Sequence, residues 1–324
     1  MENFTKLLAV TLYIFSLSGC TSIGSYVMSN PGIYLSEAQF IKAKPSDIGF
    51  EKQKFCSFST TQCITYLTAE PYQAAEFSQE SSVYYKLHAT GNNVENTISH
   101  RMTPDTFNRF KGTALLLHGY GGSKEAMMAS AIYFRALGMN VIIPDLFGHG
   151  ESTEAFVFAA KEHGILNELL AESLLNQINN QTVVVGHSMG ALTASNLLSS
   201  EYVDAAILLA PMMSFDVAAK EYLPYKSPLL SHFFHSEIDN IVNQAMFEAG
   251  VTIQETNLLP KLTETKKPVL LINSDVDSLS PPAYFSSIQN ELVKKITFNA
   301  RSHSSLMVFD RDDVIEIENW LITW

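Results

Sequence analysis

Short, continuous apolar runs recur along the second two thirds of the chain: Gly112–Leu117, Met139–Pro144, Thr182–Val185, Ala205–Leu209 and Pro268–Asn273, with a last short piece at Lys295–Phe298. Runs of this length bounded by Gly, Pro and Asp predict strands buried on both faces, and between them lie segments of helical period such as Ala191–Leu198. Strands alternating with helices in this way predict an α/β fold, a mostly parallel sheet doubly covered by helices. Upstream, residues 45 to about 110 carry strand-like pieces such as Ser82–Ala89, expected to form the first antiparallel strands of the sheet. Between Leu209 and Val269 an insertion of about residues 211–265 interrupts the alternation and predicts a short helical cap. Pro224 and Pro228 are expected to break it into short helices.

The turns after the apolar runs carry the candidate chemistry. Gly186-His187-Ser188-Met189-Gly190 lies between a strand and a helix. In that setting a G-x-S-x-G pentapeptide forms a nucleophile elbow, whose glycines let the chain reverse sharply and leave the Ser188 hydroxyl standing clear. A serine hydroxyl is a poor nucleophile at neutral pH, so it needs a base, a group to orient that base, and donors for an oxyanion. The turn His118-Gly119-Tyr120-Gly121-Gly122 follows the Gly112–Leu117 strand. Its backbone can approach a ligand closely, and the Tyr120 N–H together with that of Met189 forms a candidate oxyanion hole.

The segment after Pro144 reads Asp145-Leu146-Phe147-Gly148-His149-Gly150-Glu151-Ser152. Taken in order, H-G-x-G-G, D-x-x-G-H-G-x-S and G-H-S-M-G, each after a strand, resemble the α/β-hydrolase superfamily, in particular its monoacylglycerol lipase and serine-aminopeptidase-like branch. The resemblance runs from about Gly112 to the C-terminus. It implies that Asp145 and His149 brace the loop beside the elbow, and that the triad is completed downstream in the order Ser, acid, His. Ser274-Asp275-Val276-Asp277-Ser278-Leu279-Ser280-Pro281 supplies the acid. Asp277, followed by Leu279 and Pro281, fits the family pattern D-x-[ILV]-x-P, with Asp275 as the rival because Ser274 stands where the family usually has glycine. His303 is the general base in the same resemblance, with Ser302 in place of the usual preceding glycine. Of the nine histidines, His118, His149 and His187 belong to other motifs, and His88, His100, His163, His232 and His235 lack this position.

The N-terminus carries a different signal. Lys6 precedes the apolar stretch Leu7–Leu17, too short to span a bilayer, and Leu17-Ser18-Gly19-Cys20 closes it. The sequence L-S-G-C resembles a bacterial lipobox. That resemblance implies a signal peptide over 1–19, a diacylglycerol-modified Cys20 as the mature first residue, a tether with some local order over 20–44, and a place in the bacterial cell envelope, at the outer membrane facing the periplasm. Multiple acyl chains on one cysteine make a stable anchor. In such an oxidising compartment the remaining pair, Cys56 and Cys63, reads as a small disulfide loop, the alternative being two buried free thiols.

Composition narrows the remaining choices. The 324 residues are 46% hydrophobic and 17% charged, enough for one enzyme-sized domain over 45–324, and the formal charge of −12 argues against nucleic acid as a partner. No cysteine or histidine cluster suggests a metal, and no motif calls for a cofactor. The cap segment holds Met212, Met213, Phe215, Tyr222, Tyr225, Phe233, Phe234, Met246 and Phe247, apolar material that suits an acyl chain or packs the cap onto the sheet. The expected activity is a serine hydrolase cleaving carboxylic esters of the lysophospholipase, monoacylglycerol lipase or carboxylesterase type. An aminopeptidase or amide hydrolase of the same fold is the alternative enzyme, with Glu237 or Glu248 to receive an amino terminus. An inert lipid-anchored binding protein is the alternative from another class.

Overall fold

The computed structural model describes residues 21–34, 41–73, 82–91, 94–175, 181–226 and 236–323. Cys20, the expected signal peptide, Pro228, His232, Phe233, Phe234 and His235 lie outside the described residues.

Eight strands form one sheet: β1 (Glu51–Cys56), β2 (Cys63–Ala69), β5 (Gly112–Leu117), β6 (Met139–Pro144), β7 (Gln181–His187), β8 (Ala205–Leu209), β9 (Val269–Ser274) and β10 (Val293–Phe298). Their order is β1-β2-β6-β5-β7-β8-β9-β10. The six strands from β6 to β10 run parallel, and β1 and β2 are antiparallel additions at one edge. The central strands are apolar on both faces because both faces are covered. Leu115, Leu117, Val184, Ala206, Leu208 and Leu271 enter one core with helices α3 (His163–Leu174) and α4 (Met189–Leu197). Their neighbours Ala114, Leu116, Val183, Val185, Ile207 and Leu270 enter the other. That second core is closed by α2 (Met128–Leu137) and the C-terminal helix Arg311–Leu321. The period-2 alternation of strand side chains thus feeds two separate cores from one set of apolar runs.

The piece expected at Ser82–Ala89 is a strand, but not of this sheet. β3 (Val83–Gly91) pairs only with β4 (Val94–Met102), as a separate two-stranded ribbon. The ribbon's alternate residues Tyr85, Leu87 and Ala89 are buried and join the second core, because an isolated pair of strands cannot stand without such a surface. The antiparallel strands that do extend the sheet are β1 and β2. They are closed at their turn by a Cys56–Cys63 disulfide, so the two thiols are not free.

Residues 21–28, in the segment expected to be a tether with some local order, are a helix, α1, packed against the cap. Ser25 is fully buried, with its hydroxyl donating to Glu248 at 2.8 Å. In the cap, Pro224 does not end a helix: α5 runs Phe215–Lys226 with Pro224 near its end, followed by α6 (Ile238–Glu248) and α7 (Leu259–Glu264). Among the described residues no helix is long and apolar enough to cross a membrane.

Candidate active site

All the candidate residues lie at the C-terminal ends of the parallel strands, where an open α/β sheet presents its crevice. β7 ends at His187, and Ser188 follows with φ 52° and ψ −115°, an unfavourable conformation for a residue with a side chain. The glycines on either side make this turn possible. A Cβ on Gly186 would sit 2.4 Å from the Gly190 carbonyl oxygen, and one on Gly190 would sit 2.4 Å from the Leu117 carbonyl oxygen. The turn is held by Ser188 N–H donating to Leu209 O at 2.9 Å, while Ser188 O accepts from the amides of Ala191 and Met212, each at 3.1 Å. Ser188 itself is half-buried.

The acid and the base come from the neighbouring strand ends. β9 and β10 pair in register from Val269 with Val293 to Ser274 with Phe298, so the loops that follow them leave the sheet side by side. His303 Nδ1 lies 2.7 Å from Asp277 Oδ2, both side chains being buried. Burial alone would raise the Asp277 carboxyl. The charge and hydrogen bond of His303, with the Leu279 N–H at 3.0 Å, outweigh it and hold the group below the usual carboxylate range. With Nδ1–H donated to a carboxylate, the lone pair of His303 resides on Nε2. Asp275, the sequence rival, is exposed and instead accepts from Ala300 N–H at 2.8 Å.

Of the two departures from the family's glycines, one has a structural use. Ser274 is fully buried, and its hydroxyl accepts the Arg301 N–H at 3.0 Å, tying the acid loop to the base loop. Ser302 has an ordinary extended backbone, φ −69° and ψ 155°; the left-handed residue is Ala300, at φ 55°.

The loop after β5 reaches the elbow. A Cβ on Gly119 would stand 3.1 Å from that of Ser188, which brings Tyr120 alongside. Met189 opens α4, where the first amides have no intrahelical acceptor. The Tyr120 ring is enclosed at its edges by His149, Phe156, Phe215 and Tyr222, and its hydroxyl donates to Met28 O at 2.9 Å. Asp145 accepts the Lys124 ammonium at 2.6 Å and the amides of Lys124 and Glu151, each at 2.8 Å, which makes it a brace of the loop. His149 is buried beside it, Nδ1 on Phe147 O at 2.9 Å. In the cap Met212, Met213, Phe215 and Met246 are buried, whereas Phe247 is 85% exposed. Glu237 bonds Asn240, and Glu248 bonds Ser25 and Gln244.

Two residues that motif reading left without a role hold the base loop. His187 Nε2 lies 3.1 Å from the His303 carbonyl oxygen, its ring centroid 4.9 Å from that of His303. Arg301 is nearly buried and bonds Asp313, Asp310, Ser305 and Val308, fixing the turn His303–Met307. An arginine of ion-pair type is invisible in a motif search because its partners lie in the following helix.

Comparison with known proteins identifies the family and the fold. Residues 114–316 match the alpha/beta hydrolase family. Among curated proteins, the chain is 34% identical over 88 residues to Protein ABHD8 of Mus musculus, a match covering 27% of the chain and only 20% of that relative's length. A Mycoplasma genitalium protein carrying an esterase/lipase name is 26% identical over 137 residues, 39% of the chain and 50% of the relative. The fold is similar to that of Pyrococcus furiosus esterase Pf2001, TM-score 0.60 at 16% identity over 88% of this chain and 95% of that one. It also resembles a 2,6-dihydroxy-pseudo-oxynicotine hydrolase, TM-score 0.53 at 15% identity over 84% and 67%.

The site's histidines make stability depend on pH. Burial pushes His187 and His149 down to about 3 and His118 to about 4, against 6.5 in the unfolded chain. The unfolded chain therefore binds more protons between those values, and stability present above pH 6.5 is lost as pH falls. Glu162, raised by burial to about 7, and Asp313, also raised by burial, act in the opposite sense but are outnumbered. Urea unfolding at pH 7.0 and 5.0 is expected to show a loss of about 2 kcal/mol per pH unit. Equal stability at the two values would contradict the neutral, buried assignment.

Proposed function

The chain belongs to the alpha/beta hydrolase family, and from that premise we propose that it is a lipid-anchored serine hydrolase cleaving carboxylic esters. The observation that carries the reading is the buried 2.7 Å contact of His303 Nδ1 with Asp277, set on the strand ends beside a strained, glycine-flanked Ser188. In this reading His303 Nε2 takes the proton as Ser188 Oγ attacks the ester carbonyl carbon. The tetrahedral oxyanion is received by the Tyr120 and Met189 amides. Collapse expels the alcohol, which leaves with the proton from His303, and water then releases the carboxylic acid by the same route. Asp277 orients the imidazole and stabilises its cationic form.

Supporting an ester of apolar acyl type are the buried methionines and Phe215 of the cap, with Tyr120 and Phe158 in ring contact with Phe215. The anchor rests on Leu17-Ser18-Gly19-Cys20. Lysophospholipid, monoacylglycerol and simple carboxylic esters share the chemistry proposed.

A fluorophosphonate probe is expected to label the full-length protein, and Ser188→Ala to abolish both labelling and hydrolysis of p-nitrophenyl esters while the circular dichroism stays unchanged. Labelling of the variant at the wild-type level would overturn the nucleophile. Separately, the membrane-fractionated protein is expected to carry a lipid-modified Cys20 at its amino terminus by mass spectrometry, and Cys20→Ala to accumulate unprocessed. An unmodified Cys20 in the membrane form would remove the anchor and leave the hydrolase reading intact.

A further inference from the structure

The five residues 299–303 carry His303 out of β10 with little regular structure of their own, and side chains from elsewhere hold their backbone. Ala300 N–H is taken by Asp275, Arg301 N–H by Ser274 Oγ, and the His303 carbonyl faces His187 Nε2. The remaining hold comes from outside the eight-stranded sheet. Asn96, on β4 of the separate ribbon, donates Nδ2–H to Ala300 O at 2.8 Å and accepts Ser302 N–H on Oδ1, also at 2.8 Å. One side-chain amide thus spans the two peptides on either side of Arg301, next to the left-handed Ala300 and immediately before His303.

The position is informative because of its neighbours. Asn96 shares a ribbon face with Ile98 and Met102, both buried in the second core. An apolar side chain there would extend that face, whereas the half-buried Asn96 carries a donor and an acceptor. Here both are spent on the loop that carries His303. The ribbon is otherwise secured by its apolar face and by Tyr85 Oη donating to Phe309 O at 2.6 Å, so it does not need Asn96 to stay in place.

We propose that Asn96 is a positioning residue, clamping the backbone at Ala300 and Ser302 so that His303 meets Asp277 and Ser188 in productive register. The inference rests on the reading of Ser188, His303 and Asp277 as the reacting set. Losing the clamp leaves the Asp275 and Ser274 ties and leaves the core untouched. It therefore loosens the imidazole's placement, not the fold, and displacements of order 1 Å at a catalytic group cost up to about a hundredfold in rate.

The test compares Asn96→Ala, Asn96→Asp and Thr97→Ala in the full chain, with Ser188→Ala as reference. Thr97 is exposed on the opposite ribbon face and contacts His88. Asn96→Ala is expected to lower kcat on a p-nitrophenyl ester by about 10- to 100-fold with KM and melting temperature little changed. The acid limb of its kcat/KM profile should move to lower pH, because a loosened imidazolium loses part of its carboxylate partner. Asn96→Asp keeps the acceptor for Ser302 N–H but sets a negative oxygen against Ala300 O, so an intermediate loss is expected. It also serves as the second reading if the alanine variant folds poorly. Thr97→Ala should match wild type. A wild-type kcat and pH profile in Asn96→Ala, or a loss of kcat that only follows a lowered melting temperature with the acid limb fixed, would overturn the inference. If Ser188→Ala retains activity, the hydrolase reading itself has failed instead.

Discussion

The contact between His303 and Asp277 is the constraint around which this end of the molecule is arranged. A carboxylate buried to this degree is tolerable only if paired and hydrogen-bonded, and Asp277 is both, through the imidazole and through Leu279 N–H. The pairing requires two loops to leave the sheet side by side, which the parallel register of β9 and β10 provides. It also requires the base loop to hold one conformation without helix or strand. That task falls to a ring of side chains: Ser274 and Asp275 from the acid loop, His187 from the elbow, Asn96 from the ribbon, and Arg301 beneath. Each bonds a backbone group at or just after this loop, so the conformation that carries His303 is fixed by side chains in place of a helix or strand ladder.

The nucleophile side is stiffened differently. Ser188 is held in a strained conformation by a turn so tight that a side chain at Gly186 or Gly190 would clash with neighbouring backbone. Beside it lie three imidazoles that burial keeps neutral, so the region around the serine holds little fixed positive charge to compete with a developing imidazolium at His303. The buried Lys124 is neutralised by Asp145 and by Glu151, which anchors the loop below Tyr120. The cap and α1 then close over Tyr120 with aromatic edges and one hydrogen bond to Met28.

How much of this could be read from the chain follows from the range of the interactions. The parallel strands were legible because burial on both faces writes itself as unbroken apolar runs, and Gly112–Leu117, Met139–Pro144 and Ala205–Leu209 match the observed strands residue for residue. The elbow was legible because its glycines are demanded locally. The partners that are distant in sequence were not. Ser82–Ala89 reads as a strand but carries no information on which sheet it joins, and Asn96 looks like any polar residue on a ribbon until the loop 204 residues away is brought to it. Pro224 reads as a helix breaker, yet near the end of α5 few turns remain for it to disrupt. In sequence Asp277 is preferred to Asp275 only through the family pattern that Leu279 and Pro281 complete. What separates them is burial against His303, a tertiary fact.

The central claim, that Asp277 and not its neighbour serves the base, is tested most directly by the turnover of two asparagine variants on one ester substrate. Asp277→Asn should lower kcat by about three to four orders of magnitude, since an amide can no longer stabilise the imidazolium or fix its tautomer. Asp275→Asn should lower it by less than about tenfold, because asparagine's Oδ1 can still accept the Ala300 N–H. The reverse ranking, or equal turnover in the two variants, would contradict the account.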